Sequence, residues 1–157
     1  MVFFYTRCDN PGKCALTLSK LAGVQRRLAD AGLADRVRTT AITYDPGYDL
    51  PARLRAHGQS RGLRMDAQHR LCRSTAGWDS VRARFQLGVN YVGSLVNRHR
   101  IEAYLIDEQG AIRASFERLR WDEAALVKQA VDLLTAPAPA SAVMSVTSEA
   151  TSANGPP

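Results

Sequence analysis

Residues 1–14 read MVFFYTRCDNPGKC, and this stretch decides the fold. Residues 1–6 are short, apolar and aromatic, the composition of a buried strand. Asp9, Asn10, Pro11 and Gly12 follow as a turn. One cysteine, Cys8, ends the strand, and a second, Cys14, opens the next element. That element is a helix, with Leu18, Leu21, Val24 and Leu28 at helical spacing and Gly32 near its end. A strand, a turn flanked by two thiols and a helix begin a β-α-β unit. Open α/β sheets carry their sites at the carboxyl ends of such strands.

Working outward, residues 36–44 (RVRTTAITY) read as a second strand that stops at Asp45-Pro46-Gly47. Asp49 is placed to cap a helix with Pro51 in its first turn and Leu50 and Leu54 on one face, fading at Gly58. Residues 63–75 are ambiguous, with a short strand around Leu71-Cys72. From Gly77, the spacing of Trp78, Val81 and Phe85 predicts a helix that Gly88 closes. Residues 89–98 (VNYVGSLVNR) read as a loop. Ile101, Ala103, Leu105 and Asp107 lead into the turn Asp107-Glu108-Gln109-Gly110, and Ile112, Ala114 and Phe116 alternate on the way back. A last helix is expected from Trp121 to Leu134.

The resulting order is β-α-β-α-(β)-α-β-β-α. Helical crossovers between the early strands make them parallel and right-handed, and the final hairpin adds an antiparallel edge. This is a three-layer α/β sandwich with a mixed β-sheet, the thioredoxin-like architecture, over residues 1–134. Residues 135–157 turn to Ala, Pro, Ser, Thr and Gly and are expected to be a disordered tail.

Composition narrows the function classes. Of 157 residues, 45% are hydrophobic and 23% charged, as in a globular domain. No apolar run approaches the roughly 18 residues needed to cross a bilayer. The net charge is +6, almost all from arginine. The arginines are scattered over every predicted element, mostly beside Asp or Glu, so no basic stripe supports nucleic-acid binding. Three cysteines, at 8, 14 and 72, are not a disulfide framework. They suggest a paired site plus one bystander, Cys72, read as a small packing residue.

A helix N-terminus stabilises a thiolate. Two thiols there can cycle as a disulfide or chelate a soft metal. The Asn10-Pro11-Gly12 turn can bring their Cα atoms within the roughly 4.4–6.8 Å a bridge needs. His99 stands just before the strand at 101–107, whose leading loop lies against the cysteine loop in such a sheet. It is either a third ligand or a surface histidine. His57 and His69 read as surface residues. Asp45, on the same sheet edge as Cys8, either orients a ligand or simply forms the Asp-Pro-Gly turn. Zinc would prefer a fourth ligand, and no further Cys or His is well placed.

Four segments together resemble the Sco/SenC family, the thioredoxin-like copper proteins of cytochrome c oxidase assembly. FFYTRCDNPGKC is similar to the family's strand and cysteine loop. ITYDPGYDLPARL is similar to its Asp-Pro segment, and FQLGVNY to its helix end. HRIEAYLIDEQGAI is similar to its histidine-plus-hairpin segment, with His99 five residues before Tyr104. The resemblance implies that Cys8, Cys14 and His99 hold one copper ion, as Cu(I) or Cu(II), in a monomer. It implies a metallochaperone that delivers copper to oxidase subunit II, reduces the cysteines of its dinuclear copper site, or both. It also implies the periplasmic face of the inner membrane and an N-terminal anchor, expected upstream of Met1 together with a β-hairpin. This sequence departs from the family in two places within the site. Five residues separate the cysteines instead of three, and Arg100 follows the histidine where a small residue is usual. The alternatives are a thiol–disulfide oxidoreductase without a metal role and an interaction domain with an idle site.

Overall fold

The structure is a computed structural model that describes residues 1–93, 95–117 and 121–135. The expected tail lies outside the described residues. Seven strands and four α-helices follow in the order β1 (Val2–Phe4), α1 (Leu16–Asp30), β2 (Thr39–Thr43), α2 (Pro51–Ser60), β3 (His69–Arg73), α3 (Trp78–Arg84), β4 (Asn90–Val92), β5 (Leu95–Arg98), β6 (Glu102–Ile106), β7 (Ile112–Glu117) and α4 (Glu123–Thr135), with one π turn (Pro11–Ala15) ahead of α1. The main sheet runs β3-β2-β1-β6-β7. β1 pairs parallel to β2 and β2 parallel to β3, while β6 is antiparallel to both β1 and β7. This is the mixed sheet read from the sequence, with the first strand at its centre.

Alternation along β1 builds two cores. Val2 and Phe4 face a cluster with Leu18, Leu21, Val24 and Leu28 of α1, Leu54 of α2 and Leu126 of α4. Phe3 faces the other way, into Tyr44, Leu87, Val89 and Tyr104. Its ring meets Phe85 at 5.4 Å and Trp78 at 6.4 Å, so α3 closes that side. Aromatic pairs of this kind add about 0.5–1.5 kcal/mol each beyond burial. A strand wholly buried on both faces explains why VFFY carries no polar alternation.

Several expectations are corrected. Residues 89–98 are not a loop: β4 and β5 form a hairpin turning at Gly93, whose φ of +59° suits glycine. The register slips between Asn90 and Tyr91, a bulge that hid the alternation from the sequence. Asp49 does not cap α2; Leu50 precedes that helix without a side-chain cap. His69 is not on the surface but buried, with Nδ1 2.9 Å from Thr39 Oγ1. Gln25 Nε2 also donates to Thr39 Oγ1, so a polar network spans α1, β2 and β3. His57 is half-buried and stacks on Phe4 at 6.1 Å. Cys72 is half-buried on β3.

Candidate metal centre

The cysteine loop is built at the carboxyl end of β1. Asn10 Oδ1 accepts from the Gly12 amide at 2.9 Å, and the Lys13 amide donates to the Asn10 carbonyl at 3.0 Å. Pro11 opens the π turn, where a missing N–H costs nothing. That turn, Pro11–Ala15, places Cys14 at the site just ahead of α1. Cys14 is buried, and Cys8 is partly exposed.

Two acidic residues fix the approach to this loop. Asp49 is fully buried. It accepts from the Thr6 amide at 3.1 Å and from the Thr6 and Thr43 hydroxyls. Asp45 pairs with Arg7, whose Nε lies 2.9 Å from Oδ2. Asp45 therefore grips the residue before Cys8 and makes no hydrogen bond to either cysteine or to His99 among the described residues. Arg7 also lies 4.0 Å from the Tyr48 ring centroid, with Arg53 over the same ring at 3.8 Å. Sequence reasoning missed Asp49 as a loop anchor. Position two before a helix proline is also where a cap belongs, and only the fold brings Thr6 alongside.

His99 arrives from the end of β5 and is 7% exposed. Its ring packs edge-on to Tyr5 at 5.4 Å and against Tyr44 at 5.3 Å. Nδ1 lies 2.8 Å from the Arg100 carbonyl. A carbonyl only accepts, so Nδ1 carries a proton, and in the neutral ring Nε2 then presents its lone pair. That Nε2 lies 3.5 Å from Cys14 Sγ and 3.7 Å from Cys8 Sγ. The three donor atoms all fall within 4.8 Å of one another.

The two thiols are not equivalent. The Cys14 thiol beside Cys8, together with backbone donors, lowers the Cys8 pKa despite the cost of desolvation. The same interaction and burial raise that of Cys14. Cys8 is thus the thiol more readily deprotonated, and Cys14 the one that burial keeps protonated. Burial and the nearby thiolate charge push Tyr5 up to about 12, so its phenol stays protonated. A cleft of about 670 Å³ lies beside this loop, lined among others by Arg7, Asp9, Tyr48, Arg53 and Leu95. Two sulfurs and one unprotonated imidazole nitrogen are a donor set that suits copper in either oxidation state.

Fold and site together define a thioredoxin-like protein with two cysteine sulfurs and one imidazole gathered at the end of its central strand. The SCO1/SenC family model matches residues 1–135, and the chain belongs to that family. No curated protein matches it. Among solved structures, a SCO1/SenC family lipoprotein from Bacillus anthracis superposes with a TM-score of 0.69 at 20% identity, over 84% of this chain and 78% of that one. Arabidopsis thaliana ScoI with copper bound gives 0.65 at 19% identity, over 85% and 80%. Yeast Sco1 gives 0.60 at 23% identity, over 85% and 80%. Among the described residues no helix is long and apolar enough to cross a membrane.

Proposed function

We propose that this chain is a copper-binding assembly factor. In this reading Cys8, Cys14 and His99 hold one copper ion as cargo, destined for the dinuclear copper site of cytochrome c oxidase subunit II. One observation carries the reading: an imidazole nitrogen, aimed by the bond from Nδ1 to the Arg100 carbonyl, faces two sulfurs, and the three donor atoms lie within 4.8 Å of one another. The ScoI structures from Arabidopsis thaliana and Bradyrhizobium japonicum, both copper-bound, support it. In this reading the protein works at the periplasmic face of the inner membrane; that the Bacillus anthracis relative is a lipoprotein supports attachment to a membrane, not the compartment. It acts there as a monomer.

The thiol asymmetry favours a second activity at the same residues. Cys8 is the accessible thiolate and Cys14 the buried thiol, the arrangement of an attacking and a resolving cysteine. Cys8 Sγ attacks a partner disulfide and frees one partner thiolate. Cys14 passes its proton to that freed thiolate, and its Sγ attacks Cys8 Sγ, displacing the second partner sulfur as a thiolate and closing a Cys8–Cys14 disulfide. Two electrons pass to the partner, leaving its pair of cysteines reduced.

Copper titration of reduced wild type and His99→Ala, in both oxidation states, tests the metal reading. Cu(I) is satisfied by two thiolates, whereas Cu(II) favours nitrogen donors and more ligands. His99→Ala is expected to weaken Cu(II) binding strongly and to keep measurable Cu(I) binding. Disulfide reduction by the variant should stay within about an order of magnitude, because a change in thiol pKa is partly offset by nucleophilicity. Unchanged Cu(II) affinity in a folded variant would remove His99 from the site and leave the oxidoreductase reading.

A further inference from the structure

The orientation of His99 depends on the Arg100 carbonyl, and that carbonyl is itself held in place. The Arg100 amide donates to the Gly88 carbonyl at 3.1 Å. The Gly88 amide points to Glu102 Oε1 at 3.5 Å. The stem of the Arg100 side chain lies directly on Gly88: a Cβ there would come within 2.6 Å of Arg100 Cδ and 2.7 Å of Cγ. Tyr44 closes the group, its hydroxyl donating to the Arg100 carbonyl at 3.4 Å.

Glu102 is otherwise hard to account for. It is 2% exposed on a central strand, and its Oε2 is buried without a hydrogen-bond partner. A buried carboxylate with one long hydrogen bond costs stability. A stability argument alone would place an apolar side chain at this buried position.

We propose that Gly88 and Glu102 are positioning residues for His99. They pin the 88–89 segment against Arg100, so that the Arg100 carbonyl accepts the Nδ1 proton and leaves Nε2 free to face Cys8 and Cys14. The inference about copper rests on the reading above; the inference about the tautomer does not.

Two measurements separate these. The first is the imidazole 15N spectrum of metal-free, reduced protein, which reports which ring nitrogen carries the proton. Wild type is expected to show the Nδ1-protonated form. Gly88→Ala displaces Arg100 and should bring in the Nε2-protonated form as a substantial population. Adding Arg100→Ala removes the colliding side chain but keeps the carbonyl, so the double variant should regain the wild-type spectrum. Glu102→Ala should also mix the tautomers while leaving the thermal midpoint equal to or above wild type. Glu102→Gln, which still offers an acceptor to the Gly88 amide, should not.

The second measurement is Cu(II) affinity, expected to fall about tenfold in Gly88→Ala and Glu102→Ala, the range typical of groups that orient a ligand, and to recover in the double variant. If wild type binds no Cu(II), the copper reading fails while the 15N result still decides the positioning role. Gly88→Ala and Glu102→Ala retaining the wild-type tautomer would overturn the proposal. So would failure of the double variant to restore it. Should Gly88→Ala not fold, the Glu102 pair decides alone.

Discussion

Replacing Asp49 by Ala is the most direct test of how the cysteine loop is held. The carboxylate is fully buried and accepts three hydrogen bonds, from the Thr6 amide and from the Thr6 and Thr43 hydroxyls. Hydrogen bonds to a charged acceptor contribute about 1.5–3 kcal/mol each. Against them stands the desolvation of the carboxylate, several kcal/mol, which the substitution returns. The two hydroxyls can turn elsewhere, and Thr43 Oγ1 already accepts from the Asp45 amide at 3.0 Å. The Thr6 amide has no such freedom and is left unsatisfied, at about 1–3 kcal/mol. The net expectation is a loss of about 3 kcal/mol, a large share of a stability near 5–15 kcal/mol. For a domain of this size that is a fall of about 10 °C in Tm. Asp49→Asn keeps the shape and can still accept from the Thr6 amide, so it should lose about 1 kcal/mol. Urea unfolding of the reduced proteins, followed by tryptophan fluorescence, gives both values. An Ala variant within about 1 kcal/mol of wild type would refute the idea that Asp49 anchors the loop.

Three further tests address the buried histidines and the cysteine pair. Burial lowers the pKa of His69 and of His57, while in the unfolded chain both take a proton near 6.5. The unfolded state therefore binds more protons as the pH falls below about 6.5. The stabilisation is complete above that value and is lost as the pH drops toward the folded-state pKa. Glu102, raised by burial, acts in the opposite sense above its ordinary 4.5, so the His69 share is read from the difference between wild type and His69→Gln at pH 7.5 and 5.5. A variant with the same pH slope as wild type would exclude His69 as a contributor. Under mild oxidant, Cys8 and Cys14 should pair and leave Cys72 free; peptide mapping checks this, and a bridge to Cys72 would contradict it. In the reduced protein, alkylation should reach Cys8 well before Cys14, because only Cys8 is both partly exposed and favoured as a thiolate.

The frame of the fold was legible because its signals are local. VFFY, ITY and the Tyr104 hairpin are short apolar runs next to strong turn residues, and the spacing of Leu18, Leu21, Val24 and Leu28 leaves no alternative to a helix. What was illegible depends on residues far apart in the chain. Asp49 looks like a cap until Thr6 is beside it, 43 positions away. His69 looks exposed in a polar stretch until Thr39 offers its hydroxyl across the β2–β3 pair. The β4–β5 hairpin was missed because a bulge breaks its period and because its strands are short, Asn90–Val92 and Leu95–Arg98. Cys8 and Cys14 stood out at a strand end and a helix start, and His99 became a ligand only through the family resemblance; the feature that aims the histidine, its Nδ1–carbonyl bond, has no sequence signal at all.

The site is held firmly on three sides and left open on one. Asp49 and Asp45 grip Thr6 and Arg7, the two residues before Cys8, from the β2–α2 segment. Cys14 is buried at the head of α1, and His99 is wedged between Tyr5 and Tyr44. Between these fixed points Cys8 is the one partly exposed donor, beside a cleft that can admit a partner's chain. An incoming thiol meets Cys8 first and reaches Cys14 only after Cys8 has engaged. The same order serves both proposed activities: a resolving thiol must be shielded until attack, and a cargo ligand must be displaceable without dismantling the others. A site with all three donors buried would hold and not pass on. One with all three exposed would lose the thiol asymmetry that burial and the Cys14–Cys8 interaction create.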